Sequence, residues 1–177
     1  MMKEEQAKTI EALRVSIQME VDGKEYYQQA SRGSSDKMGK ELFQWLAGEE
    51  DRHRQKFEQI YKTIKANKAW PEIDTQPSEG IRLNTLFFKV KSKTTPKGKA
   101  QQAELNAIAG AMELESKTQD FYRSQNEKAT YEAESNFYKA LVMEEMGHYL
   151  ALVDYREYIL DPAGWFLKAE HHSLDGA

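Results

Sequence analysis

Glu20, Glu50 and His53 recur as Glu115, Glu145 and His148, each displaced by 95 positions, and Tyr27 recurs as Tyr122 in the same register. Both halves therefore read glutamate, a second glutamate thirty positions on, and a histidine three beyond that. On a helix, residues three apart share a face, so Glu50 with His53, and Glu145 with His148, each present a carboxylate and an imidazole in one direction. Four carboxylates and two imidazoles form a donor set for two divalent metal ions. A single Glu-x-x-His is commonly no more than a surface ion pair. Its second occurrence, at the same distance from an upstream glutamate, is what marks a site.

The neighbours of these residues sharpen the reading. Glu20 lies between Ile17 and Val21, and Glu115 between Met112 and Phe121, so both carboxylates fall on apolar stretches where charge is costly unless paired, protonated or bound to a cation. Carboxylate oxygen with imidazole nitrogen suits iron or manganese, and four carboxylates balance two divalent ions. Two iron ions are the expected occupants, with manganese and zinc as alternatives. Tyr27 and Tyr122, two helical turns after their glutamates, are placed to hydrogen-bond the ligands, and plain core packing is the competing reading. Glu49 and Glu144 are offset from the ligand glutamates by about 100° around the helix and are expected on a solvated face. His171 and His172 read as incidental. The chain has no cysteine, which excludes disulfides, iron–sulfur clusters and Cys-based zinc within it.

Positioning six such side chains requires four helices. The steps of three and four among Ile10, Leu13, Ile17 and Val21 predict a first helix over about 3–31. A turn follows in which Ser34, Ser35 or Asp36 can cap a second helix running to about 68. Pro71, Pro77 and Pro96 punctuate a connector over about 69–98. It is long enough to cross the bundle, and Ile81 to Phe88 within it reads as a short helix or a subunit contact. Helices over about 99–126 and 131–160 form the second hairpin, with Leu105, Ile108 and Met112, then Leu141, Leu152 and Ile159, turned inward. Residues 161–177 are expected to form a tail, anchored by Trp165, Phe166 and Leu167 and loosely held from His171 onward. The expected fold is one all-α domain: a four-helix bundle of two antiparallel hairpins joined by a long crossover.

At 177 residues and a formal net charge of -4, the chain lacks the concentrated positive charge that general nucleic-acid or anionic-membrane binding requires. The basic stretch from Arg82 to Lys99, with Lys89, Lys91, Lys93 and Lys97, reads as a solvated connector. No apolar run approaches the ~20 residues a membrane span needs, and a cytoplasmic location is the default expectation.

The ligand pattern, with the trailing tyrosines, resembles the rubrerythrin branch of the ferritin-like superfamily over about residues 4–160. The ending, Asp161-Pro162-Ala163-Gly164-Trp165-Phe166 with Glu170 and Leu174-Asp175-Gly176, is similar to the tail of short bacterial and archaeal rubrerythrin-like proteins. The resemblance implies a ferritin-like bundle with a di-iron centre that reacts with hydrogen peroxide or dioxygen under oxidative stress, commonly as a homodimer. Two departures stand out. The Cys₄ iron domain of full-length rubrerythrins has no counterpart in this cysteine-free chain, so electrons are expected from an external donor such as a rubredoxin-like protein. The extra glutamate that rubrerythrins carry three residues after the third-helix ligand is here Thr118. The leading expectation is a di-iron oxidoreductase that reduces peroxide or dioxygen, or oxidises Fe²⁺. The alternative is a metal-binding and handling module without turnover.

Overall fold

Helix α1 (Met2–Gly33) and helix α2 (Lys37–Lys65) form the first hairpin. The computed structural model describes residues 2–66, 68–73 and 95–174, with side chains over 6–66, 68–73 and 95–168. Of the three predicted caps, Asp36 is the one used: its extended backbone breaks the chain direction and its carboxylate accepts from the Gly39 N–H at 3.1 Å. The second helix stops at Lys65, three residues short of expectation, where the Ala66 N–H turns back to the Lys62 carbonyl. Helix α3 (Lys99–Lys128) starts after Gly98, whose φ of 60° is open to glycine at little cost. Helix α4 (Glu132–Leu160) begins with Glu134 reaching back to the Thr130 N–H at 3.1 Å, which satisfies a donor just upstream of the first turn. Ile81 to Phe88, Lys89, Lys91 and Lys93 lie outside the described residues.

Where a tail was expected, the chain makes one turn and begins a fifth helix, α5 (Pro162–Leu174). The local chemistry accounts for it. Asp161 accepts from the Gly164 N–H at 3.0 Å, Pro162 occupies the first helical position where its missing N–H costs nothing, and the Trp165 N–H bonds the Asp161 carbonyl at 3.0 Å. Trp165 is buried against Tyr158, as its anchoring role predicts, and its indole N–H donates to Asp154 at 2.6 Å. Leu167 is exposed and does not share in the anchor. The side chains of Glu170, His171 and His172 lie outside the described residues.

Each hairpin is antiparallel within itself. Glu20 meets Tyr122 and Tyr27 meets Glu115, so α1 and α3 also run in opposite directions and an approximate two-fold axis relates the hairpins. One apolar cluster gathers Tyr27, Leu42, Phe43, Ile108, Tyr155 and Trp165, and a second gathers Leu13, Phe57, Trp70, Tyr122, Phe137 and Tyr138. On α1 the order is Leu13, Glu20, Tyr27, and on α2 it is Leu46, Glu50, Phe57, so the charged residues form a layer between the two clusters. Each buried Leu or Phe contributes about 1.5–3 kcal/mol, and the two clusters together hold the polar layer in place against its own desolvation cost. Among the described residues there is no strand, and no helix is long and apolar enough to cross a membrane.

Candidate metal centre

All six predicted ligands are buried, and each comes from the helix and the turn that the repeat assigned to it. Glu20 arrives from α1, Glu50 and His53 from α2, Glu115 from α3, and Glu145 and His148 from α4. They assemble into two overlapping groups. Glu20, Glu50, His53 and Glu145 each offer a ligand atom within 4.8 Å of the others, and Glu50, Glu115, Glu145 and His148 do the same. Glu50 and Glu145 belong to both groups, which puts them between two positions where a cation would fit. Both histidines turn Nδ1 inward. His53 Nδ1 lies 3.2 Å from Glu145 and 3.5 Å from Glu20, and His148 Nδ1 lies 3.0 Å from Glu145 and 3.7 Å from Glu115. The two rings stack at 5.7 Å between centroids.

Without a cation this arrangement is electrostatically unsettled. Burial raises the Glu50 carboxyl well above its ordinary range, and the charges of Glu145 and Glu20 add to the shift. Burial, then Glu145, does the same to Glu115. Burial opposes charge on His53, but Glu20 and Glu145 outweigh it and hold the imidazole well above its usual value. His148 is driven up to about 10, with burial opposing and Glu115 then Glu145 prevailing. Burial also opposes charge on Glu145, and the two histidines together keep it far below the usual carboxylate range. Protons and imidazolium ions here occupy the role that metal ions fill in carboxylate-rich cores.

The donor atoms themselves carry the test of fit. Among the described residues, Glu20 Oε2, Glu115 Oε2, Glu145 Oε1 and His53 Nδ1 are buried and make no well-aligned hydrogen bond, although His53 Nδ1 stands 3.2 Å from Glu145. A buried polar atom without a good hydrogen bond is expensive and uncommon. Four such atoms in one layer, drawn from all four long helices and facing one another, match the inward donors of a dinuclear site.

Tyr27 and Tyr122 take the hydrogen-bonding role that their spacing suggested, and they take it crosswise. The Tyr27 hydroxyl donates to Glu115 and the Tyr122 hydroxyl to Glu20, so each tyrosine orients the glutamate of the opposite repeat. Burial, followed by the partner glutamate's charge, raises both phenols well above their normal range and keeps them donors. Glu49 and Glu144 depart from expectation, because neither faces solvent. An offset of 100° leaves the inner face but, in a bundle, turns the side chain toward the neighbouring helix. Glu144 Oε2 reaches across to His53 Nε2 at 2.8 Å, and Glu49 pairs with Arg52 one turn on. Glu144 thereby fixes the ring that offers Nδ1 to the site, a carboxylate–histidine arrangement typical of metal ligands. Trp45, also unforeseen, sets its ring edge-on to His148 at 5.5 Å. The repeat held a usable signal for Glu144, since Glu49 and Glu144 share the 95-residue offset.

The family profile of rubrerythrin matches residues 11–154, which spans all six of these residues. The chain belongs to the rubrerythrin family. No curated protein gives a significant match. Among solved structures, a hypothetical protein from Pyrococcus furiosus superposes with a TM-score of 0.65 at 24% identity, covering 86% of this chain and 90% of that one. That likeness bears on the fold alone. In this rubrerythrin-family chain, the place of the additional third-helix glutamate is held by Thr118, whose hydroxyl bonds the Leu114 carbonyl at 3.1 Å and adds no carboxylate to the layer.

Proposed function

We propose that this rubrerythrin-family protein is a dinuclear metal oxidoreductase that reduces hydrogen peroxide or dioxygen. The single observation supporting it is the pair of overlapping donor groups that share Glu50 and Glu145. Glu20 with His53 would complete one metal position and Glu115 with His148 the other, while Glu50 and Glu145 would serve both. A bound pair of redox-active divalent ions, iron first and manganese next, would supply two electrons, one from each ion. The reduction of one peroxide molecule to two of water consumes two electrons and two protons.

The protein's own contribution is positional. Tyr27 and Tyr122 hold the terminal glutamates by their hydroxyls, and Glu144 fixes the His53 ring through Nε2 with Nδ1 turned toward the layer. The apolar clusters above and below keep bulk water from the layer and strengthen each electrostatic contact inside it. A groove between α1 and α3 is lined by Met19, Leu114 and Thr118, of which Met19 and Leu114 adjoin Glu20 and Glu115 in sequence, and it is the face from which a small oxidant would approach. Because the chain carries no cysteine, the electrons that restore the centre come from a separate donor.

The test is anaerobic loading with Fe²⁺, metal analysis, then addition of peroxide with a supplied reductant. Two irons per chain and steady peroxide consumption, both lost in Glu50→Ala and His148→Ala, are expected. Two irons with no turnover would favour storage or transfer of metal, a reading that the missing third-helix carboxylate at Thr118 makes worth distinguishing. Retention of less than one iron per chain would reject a dinuclear site.

A further inference from the structure

Tyr122, which hydrogen-bonds Glu20, is the inner end of a line of oxidisable rings. Its ring lies 6.0 Å from that of Tyr138, and Tyr138 lies 5.9 Å from Trp70. Trp70 sits just beneath the surface where the chain leaves α2, flanked by exposed Lys68, Ala69 and Glu72. In the other half Tyr27 has Tyr26 beside it on its own helix at 5.9 Å, and the corresponding line toward the tryptophan passes from Tyr27 to Phe43, at 6.3 Å, before reaching Tyr155, Tyr158 and Trp165. Phe43 and Tyr138 are the same position of the repeat, 95 residues apart, and Trp70 and Trp165 are another such pair. The two halves thus differ at the ring that decides continuity: one route has a phenol there, the other a benzene ring that is far harder to oxidise.

Packing alone does not account for Trp70. Among the described residues its buried indole N–H has no hydrogen-bond partner, a cost that a phenylalanine or leucine at this place avoids. What an indole adds over those side chains is its readiness to give up an electron. Electron transfer falls off steeply with separation, and rings in near contact pass an electron where a single long step across the same distance would be slow.

We infer that Trp70, Tyr138 and Tyr122 form a one-electron relay from the surface to the Glu20 edge of the candidate metal centre. The inference rests on the proposed oxidative role of that centre. When hydrogen peroxide is the oxidant and only one of the two required electrons is held at the centre, the second comes up this line. Tyr122 gives an electron, its phenolic proton shifting along the existing hydrogen bond toward Glu20. Tyr138 refills Tyr122 and Trp70 refills Tyr138, so both phenols regain what they gave. The net loss is one electron from Trp70, which keeps its buried N–H and is left as the indole radical cation. A one-electron reductant of the enediolate class restores Trp70 from outside.

Two experiments separate this relay from the metal reading. In the first, Fe²⁺-loaded protein, oxidised beforehand by one electron per pair of irons, is mixed with peroxide without reductant, freeze-quenched, and examined by electron paramagnetic resonance. A tryptophan radical is expected, replaced by a tyrosine signal in Trp70→Phe and lost in Tyr138→Phe, while Phe43→Tyr adds a second radical at Trp165. In the second, the metal-free protein carries a photo-oxidant on a cysteine introduced by Lys117→Cys, a site with no competing thiol in the chain. The same dependence on Tyr138 is expected there. A silent first experiment with a positive second one tells against the metal centre and supports the relay. A radical at Trp45 or Tyr27 in either experiment, or a Trp70 signal indifferent to Tyr138→Phe, overturns it. Tyr138→Phe keeps the ring, and an unchanged melting temperature checks that it keeps the fold.

Discussion

Glu50→Gln should change the stability of this protein in opposite directions depending on whether metal is present. Glu50 is almost wholly buried and shares its layer with Glu20, Glu115 and Glu145. Its carboxyl stays above its ordinary range through burial first and the charges of Glu145 and Glu20 next. A folded-state pKa raised above the unfolded value of 4.5 means that, as pH climbs past that value, the unfolded chain ionises freely while the folded one does not. The folded state is then progressively disfavoured until its own pKa is passed. Glutamine has the same shape and no charge, so it removes that penalty. At pH 7 in chelator, the variant should gain about 1–3 kcal/mol, the scale on which replacing uncompensated buried charge stabilises proteins. For a chain of this size a gain of about 2 kcal/mol raises the melting temperature by roughly 4–8 °C. At pH 4 the difference should vanish, since Glu50 is then protonated in both states.

With metal the order reverses. A ligand that binds only the folded state at a hundredfold excess over its dissociation constant adds about 2.7 kcal/mol. Glu50 is common to both donor groups, so the glutamine variant forfeits most of that. Differential scanning calorimetry in chelator and in Fe²⁺ under argon reads both effects. A variant that is less stable than wild type in chelator would refute the claim that holding Glu50 protonated at pH 7 costs the folded state stability. Equal stabilisation of both proteins by Fe²⁺ would refute the claim that Glu50 serves the metal.

Two further outcomes follow from the same geometry. Glu144→Gln leaves His53 an acceptor but takes away its charged partner, so iron affinity measured by chelator competition should fall about 10–100-fold with the helical circular dichroism unchanged. An affinity equal to wild type would remove Glu144 from the site. Gly39→Ala should destabilise although alanine favours helix, because its Cβ would stand 2.2 Å from Tyr155 Oη, 2.4 Å from Glu104 Oε1 and 2.7 Å from Ser34 Oγ. These atoms belong to a buried network in which the Tyr155 hydroxyl lies within hydrogen-bond distance of Asp36 at 3.0 Å and of Glu104 at 2.8 Å. Overpacking and broken buried hydrogen bonds, less the helix-propensity gain, amount to about 2–4 kcal/mol. A urea midpoint at or above that of wild type would show that the network yields without cost.

Much of this was legible because the site is periodic. The ligand residues recur at a fixed offset, and helical geometry converts that offset into direction, so the inward faces of four helices could be read from a few glutamates and histidines. What escaped was set between helices. Glu144 looked solvent-facing from its own helix, and only the arrival of His53 from the other hairpin makes its burial worthwhile. Helix α5 escaped for a different reason. Pro162 and Gly164 suggest a break, and the same residues serve a helix start once Asp161 caps it. Which of the two holds depends on Trp165 having Tyr158 to pack against, a contact that local sequence does not reveal.

The repeat is most informative where it fails. Six candidate ligands and two tyrosines match across the two-fold axis, as the proposed dinuclear centre with two comparable metal positions would require. The surroundings do not match. Beyond the inward carboxylates that both imidazoles meet, His53 has Glu144 at its outer nitrogen, whereas the ring of His148 packs at right angles to Trp45. A negatively charged partner strengthens an imidazole as a donor, and an aromatic edge does not, so the two metal positions should differ in affinity and in potential. The difference falls on the side of the molecule that also distinguishes Tyr138 from Phe43. His53 and Glu20 share one donor group, and Glu20 is the residue that Tyr122 holds. The position with the stronger imidazole is therefore the one at the end of the continuous ring line, which is where an oxidising equivalent generated at the centre would be drawn off.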